Sequence, residues 1–282
     1  MIATVMLVRH VHRPDALTAA EVMASELRAL GVDVRHEDPD AEADFVLAMG
    51  GDGTILAAAH HAHLRNAPLL GVNVGHMGFL AEATGQDLAL IARRIASEDF
   101  HIEERMTLDV QVREPDGTIR KDWALNEAVV VHTDVAHPVH IALAVDGQDV
   151  STYGADGMII ATPTGSTAYS FSAGGPVVWP DAEAVVLAPL AAHGLFTRPL
   201  VLGPSALLEV AVLEENWTDP EMWCDGLRRT PLPAGSLVST RVGARPVRLV
   251  RLDETPFSAR LVERLSLPVR GWRSRHPRTG LR

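Results

Sequence analysis

The chain has 282 residues, 47% hydrophobic and 22% charged, with a formal charge of −11; that is enough for two folded domains and the wrong sign for broad binding to nucleic acid. A single cysteine, Cys224, excludes an intrachain disulfide and fits a reducing cytoplasm, while no apolar run approaches the roughly 20 residues of a membrane helix. Lys121 is the only lysine, so the lysine-dependent phosphate loop G-x-x-x-x-G-K-[ST] and the kinase V-A-I-K strand are both excluded, and anionic substrates need arginines, backbone amides or a divalent metal.

The N-terminus has no basic n-region and reads as a first strand over 2–8 rather than a signal peptide. Residues 16–30 have helical periodicity, with Leu17, Ala20, Met23, Leu27 and Leu30 on one face, Asp15 as the expected N-cap and Gly31 as the stop. A short strand near 32–34, an acidic loop and the all-apolar strand 45–49 follow. Next come Gly50, Gly51, Asp52, Gly53 and Thr54, then an alanine-rich helix to about residue 64. Residues 68–72 form another short apolar strand, and Leu88, Ile91 and Ile95 mark a further helix. This alternation predicts a Rossmann-like parallel sheet covered by helices, with ligands at the carboxyl ends of its strands.

From His101 the pattern has period two. Strands are expected at 107–112, 128–132, 141–145, 158–161, 185–188, 207–213, 237–242 and 247–250, with hairpin turns at Asp116–Gly117 and Asp146–Gly147. Such spacing predicts an all-β, sandwich-like second domain. Residues 255–265 return to a helical pattern, with Phe257, Leu261 and Leu265 four apart, and are expected to pack back on the first domain. The arginine-rich end, 270–282, reads as a solvated tail.

The glycines at 50, 51 and 53 let a ligand approach the backbone closely, and a turn opening a helix offers free N–H groups to phosphate. Gly50, Gly51, Gly53 and Thr54 are therefore candidate phosphate-binding residues. Asp52 among them is a carboxylate that a pure phosphate cradle would not want, which points to chemistry or metal binding. A second glycine-rich loop, 71–79, has G-x-x-x-G-x-x-G spacing and so is not the dinucleotide fingerprint. Asn126 and Glu127, taken alone, read as a solvated strand end. Residues 156–176 run from a strand into small hydroxyl residues, glycines and one tyrosine, a set of neutral donors and acceptors suited to ribose hydroxyls and amides. No G-x-S-x-G elbow supports a nucleophilic serine. His60, His61 and His63 follow the glycine turn, and His132, His137 and His140 lie on β segments; without H-E-x-x-H or C-x-x-C they read as polar surface residues rather than zinc ligands.

Gly-Gly-Asp-Gly-Thr, the later Asn-Glu, and Asp-Gly-Met-Ile-Ile-Ala-Thr-Pro-Thr-Gly-Ser-Thr-Ala-Tyr from 156 to 169, in that order and spacing, resemble the NAD kinase family over nearly the whole chain. The 71–80 loop, residues 198–202 and Asp225–Gly226 are similar to other family landmarks. The glycine turn alone is shared with diacylglycerol-kinase-like and phosphofructokinase-like proteins; the 156–169 segment makes the likeness specific. The resemblance implies an α/β phosphate-donor and catalytic domain over 1–102, a β-rich NAD-binding domain over 103–250, and a C-terminal helix and tail over 251–282. It implies phosphoryl transfer from ATP or polyphosphate to the 2′-hydroxyl of the adenosine ribose of NAD, and assembly as homodimers or homotetramers. A divalent cation, Mg or Mn, is expected to be held mainly through the donor phosphates, with no metal site of the protein's own. Asp52 corresponds to the proton acceptor, and Asp52, Gly53, Asn126, Glu127, His137, Asp156, Thr167, Ala168, Tyr169, Ser170, Phe171 and Ser172 to NAD-contacting positions. Three positions depart from the family pattern: Ala57 and Gly154 replace frequent basic or polar residues, and Leu227 replaces Gln or Asn. Two rivals share part of this evidence. A lipid kinase would need an apolar acceptor groove, and a non-catalytic NADP(H)-binding protein would have little reason to keep Asp52.

Overall fold

The structure is a computed structural model that describes residues 2–38, 41–74, 78–84, 87–194 and 197–269. Part of the acidic loop, residues 75–77 of the second glycine-rich loop and the arginine-rich tail lie outside the described residues. The chain opens with β1 (Thr4–Arg9), α1 (Pro14–Ala29), β2 (Asp33–His36), β3 (Phe45–Met49), α2 (Asp52–Arg65), β4 (Leu69–Asn73), β5 (Ala83–Thr84) and α3 (Leu88–Ala96). Residues of β1 and β3 alternate between the two faces of one sheet. Val5, Leu7, Phe45 and Leu47 join the core under α1 and α3, and Met6, Val8, Val46 and Ala48 join the core under α2. Both faces are covered, which is why these strands are apolar throughout rather than alternating. Each fully buried Leu or Ile contributes on the order of 1.5–3 kcal/mol. In α1, Pro14 opens the first turn, where its fixed φ suits a helix start. Asp15, expected as the cap, lies inside that turn, where it pairs with Arg13 and accepts the Ala16 N–H at 3.0 Å.

The second half begins with β6 (His101–Arg105), β7 (Leu108–Arg113), β8 (Ile119–Ala124), β9 (Glu127–Val131), β10 (Val139–Val145), β11 (Gln148–Ala155) and β12 (Gly157–Ala161). A 3-10 turn (Gly165–Thr167), the one-turn α4 (Tyr169–Ser172), β13 (Val185–Leu190) and β14 (Leu200–Leu202) follow. The chain closes with β15 (Leu208–Val212), β16 (Glu221–Cys224), β17 (Arg228–Pro231), β18 (Leu237–Val242), β19 (Val247–Arg251) and α5 (Phe257–Arg264). Two six-stranded antiparallel sheets, ordered β11-β10-β15-β18-β7-β8 and β14-β13-β12-β9-β16-β17, form the expected sandwich. Leu108, Ile141, Met158, Leu187 and Val210 lie in the core between them. Both Asp-Gly turns join hairpins, β7–β8 and β10–β11.

Two strands depart from the expected partition. Residues 247–251 do not close the sandwich but enter the first sheet, whose order is β2-β1-β3-β4-β19-β6, with β5 on β4. There β19 runs parallel to β4 and antiparallel to β6, so the first sheet is mixed rather than wholly parallel. The chain thus leaves the first sheet by β6 and returns through its neighbour β19. Strand length and period do not encode which sheet a strand joins. The C-terminal helix α5 does return to the first domain, yet its buried residue is Arg260 rather than Phe257, Leu261 or Leu265.

Candidate active site

The buried strand β3 delivers the chain to the glycine turn, and Gly50 stays tied to the sheet through its N–H to the Val72 carbonyl at 2.9 Å. A Cβ at Gly50 would collide with the Thr54 hydroxyl, so the turn closes this tightly only with glycine there. Gly51 caps α2 and Asp52 is its first residue, where the helix dipole favours an acid. The Asp52 carboxylate accepts the backbone N–H groups of Phe79 at 3.1 Å and Leu80 at 3.2 Å. A Cβ on Gly78 would run into that carboxylate. The second glycine-rich loop therefore clamps Asp52, a role its spacing did not reveal.

The turn separates two cavities. On one side a pocket of about 650 Å³ is lined by Gly51, Gly53 and Thr54 together with Arg9, His10, His12 and Arg13. Two of the unusual positions, Ala57 and Leu227, face this same pocket. On the other side a cleft of about 320 Å³ brings together Asp52, Asn126, Glu127, Thr164, Thr167 and Arg264, with Ala168 and Phe79 at its walls. Asp52 stands at the seam.

Asn126 and Glu127 are buried, each 7% exposed, and not a solvated strand end. The reason is topological: β9 is a central strand, flanked by β12 and β16. Asp225 fixes their backbone, accepting the N–H groups of Leu125 at 3.0 Å and Asn126 at 2.7 Å. Arg228 holds Asp225 in turn at 3.3 Å. From the far side Gly165 leaves room for the Asn126 carbonyl, into which a Cβ would project. Asn126 Oδ1 and Glu127 Oε2 are buried without a hydrogen-bond partner among the described residues. Buried polar atoms are usually completed by a protein group, water, an ion or a ligand, and these two face the cleft. Burial, reinforced by the charge of Asp225, pushes the Glu127 carboxyl up to about 8, against which the Tyr169 backbone amide pulls weakly. Near neutral pH Glu127 is therefore mostly protonated and able to donate.

The hydroxyl-rich segment is more inward-looking than its composition suggests. Thr162 donates to the Leu125 carbonyl at 2.6 Å, Ser166 to Pro163 at 2.7 Å and Thr167 to Thr164 at 3.3 Å. These bonds shape the 3-10 turn; Thr167 and Ala168 still reach the cleft. Tyr169 and Phe171 are exposed, Ser172 faces outward, and Ser170 is buried with its hydroxyl unpartnered among the described residues. His137 lies outside the cleft, paired with Asp134 at 2.8 Å and stacked on Trp217 with ring centroids 4.7 Å apart. Asp156 connects to it through His132, whose N–H donates to the Asp156 carbonyl and whose ring meets the His137 carbonyl. Gly154 bridges to His193 at the edge of the sandwich.

The histidines after the glycine turn are not simply surface residues. His61 is 7% exposed and contacts Glu37 at 3.0 Å. His60 and His63 stack on Trp123 of β8, joining α2 to the second domain. Burial, aided by Arg245, lowers His63 to about 4 and keeps it neutral at physiological pH. Among the described residues no group of three His, Cys, Asp or Glu is placed to hold a metal. Sequence reasoning named no role for Gly78 and Thr164, although both lie in stretches it singled out, and it missed Arg9, Arg13 and Arg264, which sit in no motif.

Residues 8–100 match the ATP-NAD kinase N-terminal domain and residues 125–252 the ATP-NAD kinase C-terminal domain. The chain is 44% identical to the NAD kinase of Thermobifida fusca, with 96% of this chain and 92% of that protein covered. It is 41% identical to NAD kinase 2 of Streptomyces coelicolor, with 96% and 97% covered. In fold it is similar to yeast NADH kinase complexed with NADH, at a TM-score of 0.86 and 21% identity over 95% of this chain and 89% of that one. It is also similar to an NAD kinase from Archaeoglobus fulgidus in complex with ATP, at 0.74 and 27% identity over 94% and 99%.

Proposed function

The chain belongs to the NAD kinase family, and we propose that it moves the terminal phosphoryl group of ATP or polyphosphate to the 2′-hydroxyl of the adenosine ribose of NAD, with Asp52 as proton acceptor. One observation carries the assignment: Asp52 stands, held by two backbone amides, at the seam between a glycine-and-arginine pocket and a cleft with unpartnered buried polar atoms. The first suits phosphates and the second a neutral, polar ligand such as an adenosine.

Phosphoryl transfer through a loose transition state asks mainly for positioning and charge neutralisation. A carboxylate is too weak a base to strip a sugar hydroxyl in advance, so Asp52 first orients the 2′-hydroxyl and then takes its proton as the O–P bond forms. The amides of Gly51 and Gly53 cradle the donor phosphates, and Thr54, whose own N–H is taken by the Gly51 carbonyl at 2.9 Å, lines the same pocket. Arg9 and Arg13, paired with Glu21 and Asp15, line that pocket where Ala57 brings no charge. Asn126 and Glu127 read the acceptor, and the 167–172 segment surrounds it. Asp156 and His137 meet the far end of the dinucleotide. Their support is that burial and then the charge of Asp156 raise the Tyr169 phenol, which sets Asp156 beside that segment.

The donor-side pocket offers one carboxylate, Glu37, against two arginines and two histidines. This fits a divalent cation, Mg or Mn, that arrives on the donor phosphates rather than one caged by the protein. When bound, the cation neutralises charge on the transferring phosphoryl group. A lipid kinase gains nothing from the structure, because the cleft beside Asp52 presents Asn126, Glu127, Thr164 and Thr167 rather than an apolar groove. Among the described residues no helix is long and apolar enough to cross a membrane. The buried free thiol of Cys224 suits a cytoplasmic setting. Assembly as a homodimer or homotetramer is supported by Val135 and Trp217, 91% and 76% exposed on loops joined by Thr133 and Thr218. Sedimentation equilibrium reporting only monomer would remove that part. The reaction itself is tested with purified protein, NAD, ATP and Mg²⁺ coupled to an NADP-specific dehydrogenase, then with polyphosphate and with NADH. Absence of NADP from NAD and of NADPH from NADH with either donor would leave only binding.

A further inference from the structure

Arg264 closes the acceptor cleft from an element that no motif marked. It is the last residue of α5, and it is the one cation among the residues lining the cleft, whose other ionisable groups are Asp52 and Glu127. No described carboxylate pairs with it. Its neighbour one turn earlier does the opposite. Arg260, 5% exposed, donates to the Ala81 carbonyl at 2.8 Å and pairs with Glu82 at 2.6 Å. Glu82 also takes Arg251 at 2.7 Å and the Leu252 N–H at 3.0 Å. The short segment 79–82 therefore grips Asp52 with two amides and α5 with one carboxylate. Residues four apart share a helix face, so the buried Arg260 fixes where Arg264 emerges, above the cleft and beside the clamp on Asp52.

An arginine in the last turn of a helix is favoured by the helix dipole alone. That preference does not account for an unpaired guanidinium facing a cleft whose other ionisable groups are acids, on a helix pinned there by a second, buried arginine. The acceptor proposed above brings a diphosphate beside the Asp52 carboxylate, which repels it, and Glu127, protonated near neutral pH, offers it no positive charge. A guanidinium fork matches phosphate oxygens in a way that a point charge does not. We propose that Arg264 is a substrate-binding residue for the diphosphate of the acceptor dinucleotide, and that the Arg260–Glu82 pair is the positioning device that holds it there. This inference rests on NAD being the acceptor.

Arg264 is exposed, so Arg264→Gln and Arg264→Lys should keep the fold, which circular dichroism checks. Calorimetry then compares NAD with adenosine, which has the same base and ribose but no diphosphate. The glutamine variant should bind NAD roughly tenfold to hundredfold more weakly and adenosine within about twofold of wild type. The lysine variant should fall between. In turnover, KM for NAD should rise by more than kcat falls, and KM for ATP should hold. Equal losses for NAD and adenosine, or NAD affinity within twofold of wild type, would overturn the proposal. A fall in kcat with NAD affinity intact would do so too, since Arg264 would then serve the transferred phosphoryl group instead. Failure of the reaction is separable, because a wild type that makes no NADP still reports the NAD-to-adenosine contrast in its binding.

Discussion

Asp52 is held before any substrate arrives. Phe79 and Leu80 each donate one amide to it, and Gly78 clears the space its oxygens occupy. Asp52→Asn preserves that shape and removes the base, so kcat should fall roughly 10²–10⁴-fold with a much smaller change in the Kd for NAD. Steady-state kinetics beside calorimetry checks it, and near-normal turnover would remove the proton-acceptor role. Glu127 gives a pH prediction. Its folded-state carboxyl titrates near 8 against an ordinary 4.5. The folded protein thus holds a proton that the unfolded chain releases. The stability this contributes is complete below about pH 4.5 and is lost as pH rises through 8. Glu127→Gln, an isostere of the protonated acid, should flatten the fall in urea midpoint between pH 6 and 9, on the order of a few kcal/mol. Parallel pH profiles for the two proteins would sink the assignment. At this scale Asp52 was legible because a carboxylate is conspicuous among glycines. Gly78 and Arg264 were not, since their importance lies in partners far away in sequence.

Among the elements, the joint between the 79–82 segment and α5 concentrates the most charge in the least water. Glu82 has a fully buried side chain and serves Arg251, Arg260 and the backbone amides of Leu252 and Asp253. Glu82→Gln leaves the buried Arg260 without its carboxylate, while Arg251 keeps Glu103 at 2.5 Å; breaking such a buried pair typically costs about 3–5 kcal/mol. The denaturation midpoint should fall accordingly, and a loss within experimental error would mean that water already reaches the pair. Helix periodicity found α5 but pointed to its apolar residues, because amphipathic patterning assumes that the buried face is apolar. The same assumption hid β8 and β17, whose sequences Ile-Arg-Lys-Asp-Trp-Ala and Arg-Arg-Thr-Pro are polar strands at sheet edges. Strands buried on both faces, β3, β9 and β12, were the easy ones, apart from the polar head of β9.

At the scale of the whole molecule, the cleft is assembled from three stretches of chain. Asp52 comes from the first domain, Asn126, Glu127 and Thr167 from the second, and Arg264 from the returning helix. Trp123, stacked under His63, and Arg245, donating to the His63 carbonyl at 2.9 Å, bind the domains along α2. The two-part architecture could be read from the switch in hydrophobic period near His101. The return of β19 to the first sheet could not, because pairing partners are chosen by tertiary geometry.

That return has a consequence for how the protein emerges from the ribosome. All strands of the sandwich lie between residues 108 and 242, so the second domain can finish folding while synthesis continues. The first sheet must wait for β19, which sits between β4 and β6. Until then the nascent chain has an unclosed sheet margin beside β4, the kind of margin that invites strand addition from other chains. A fragment ending at residue 105 should therefore be protease-sensitive and prone to aggregate, although it contains the whole glycine turn. Adding a separate peptide spanning 244–269 should protect it in pulse proteolysis, and a fragment equally resistant without the peptide would show that the first domain closes on its own.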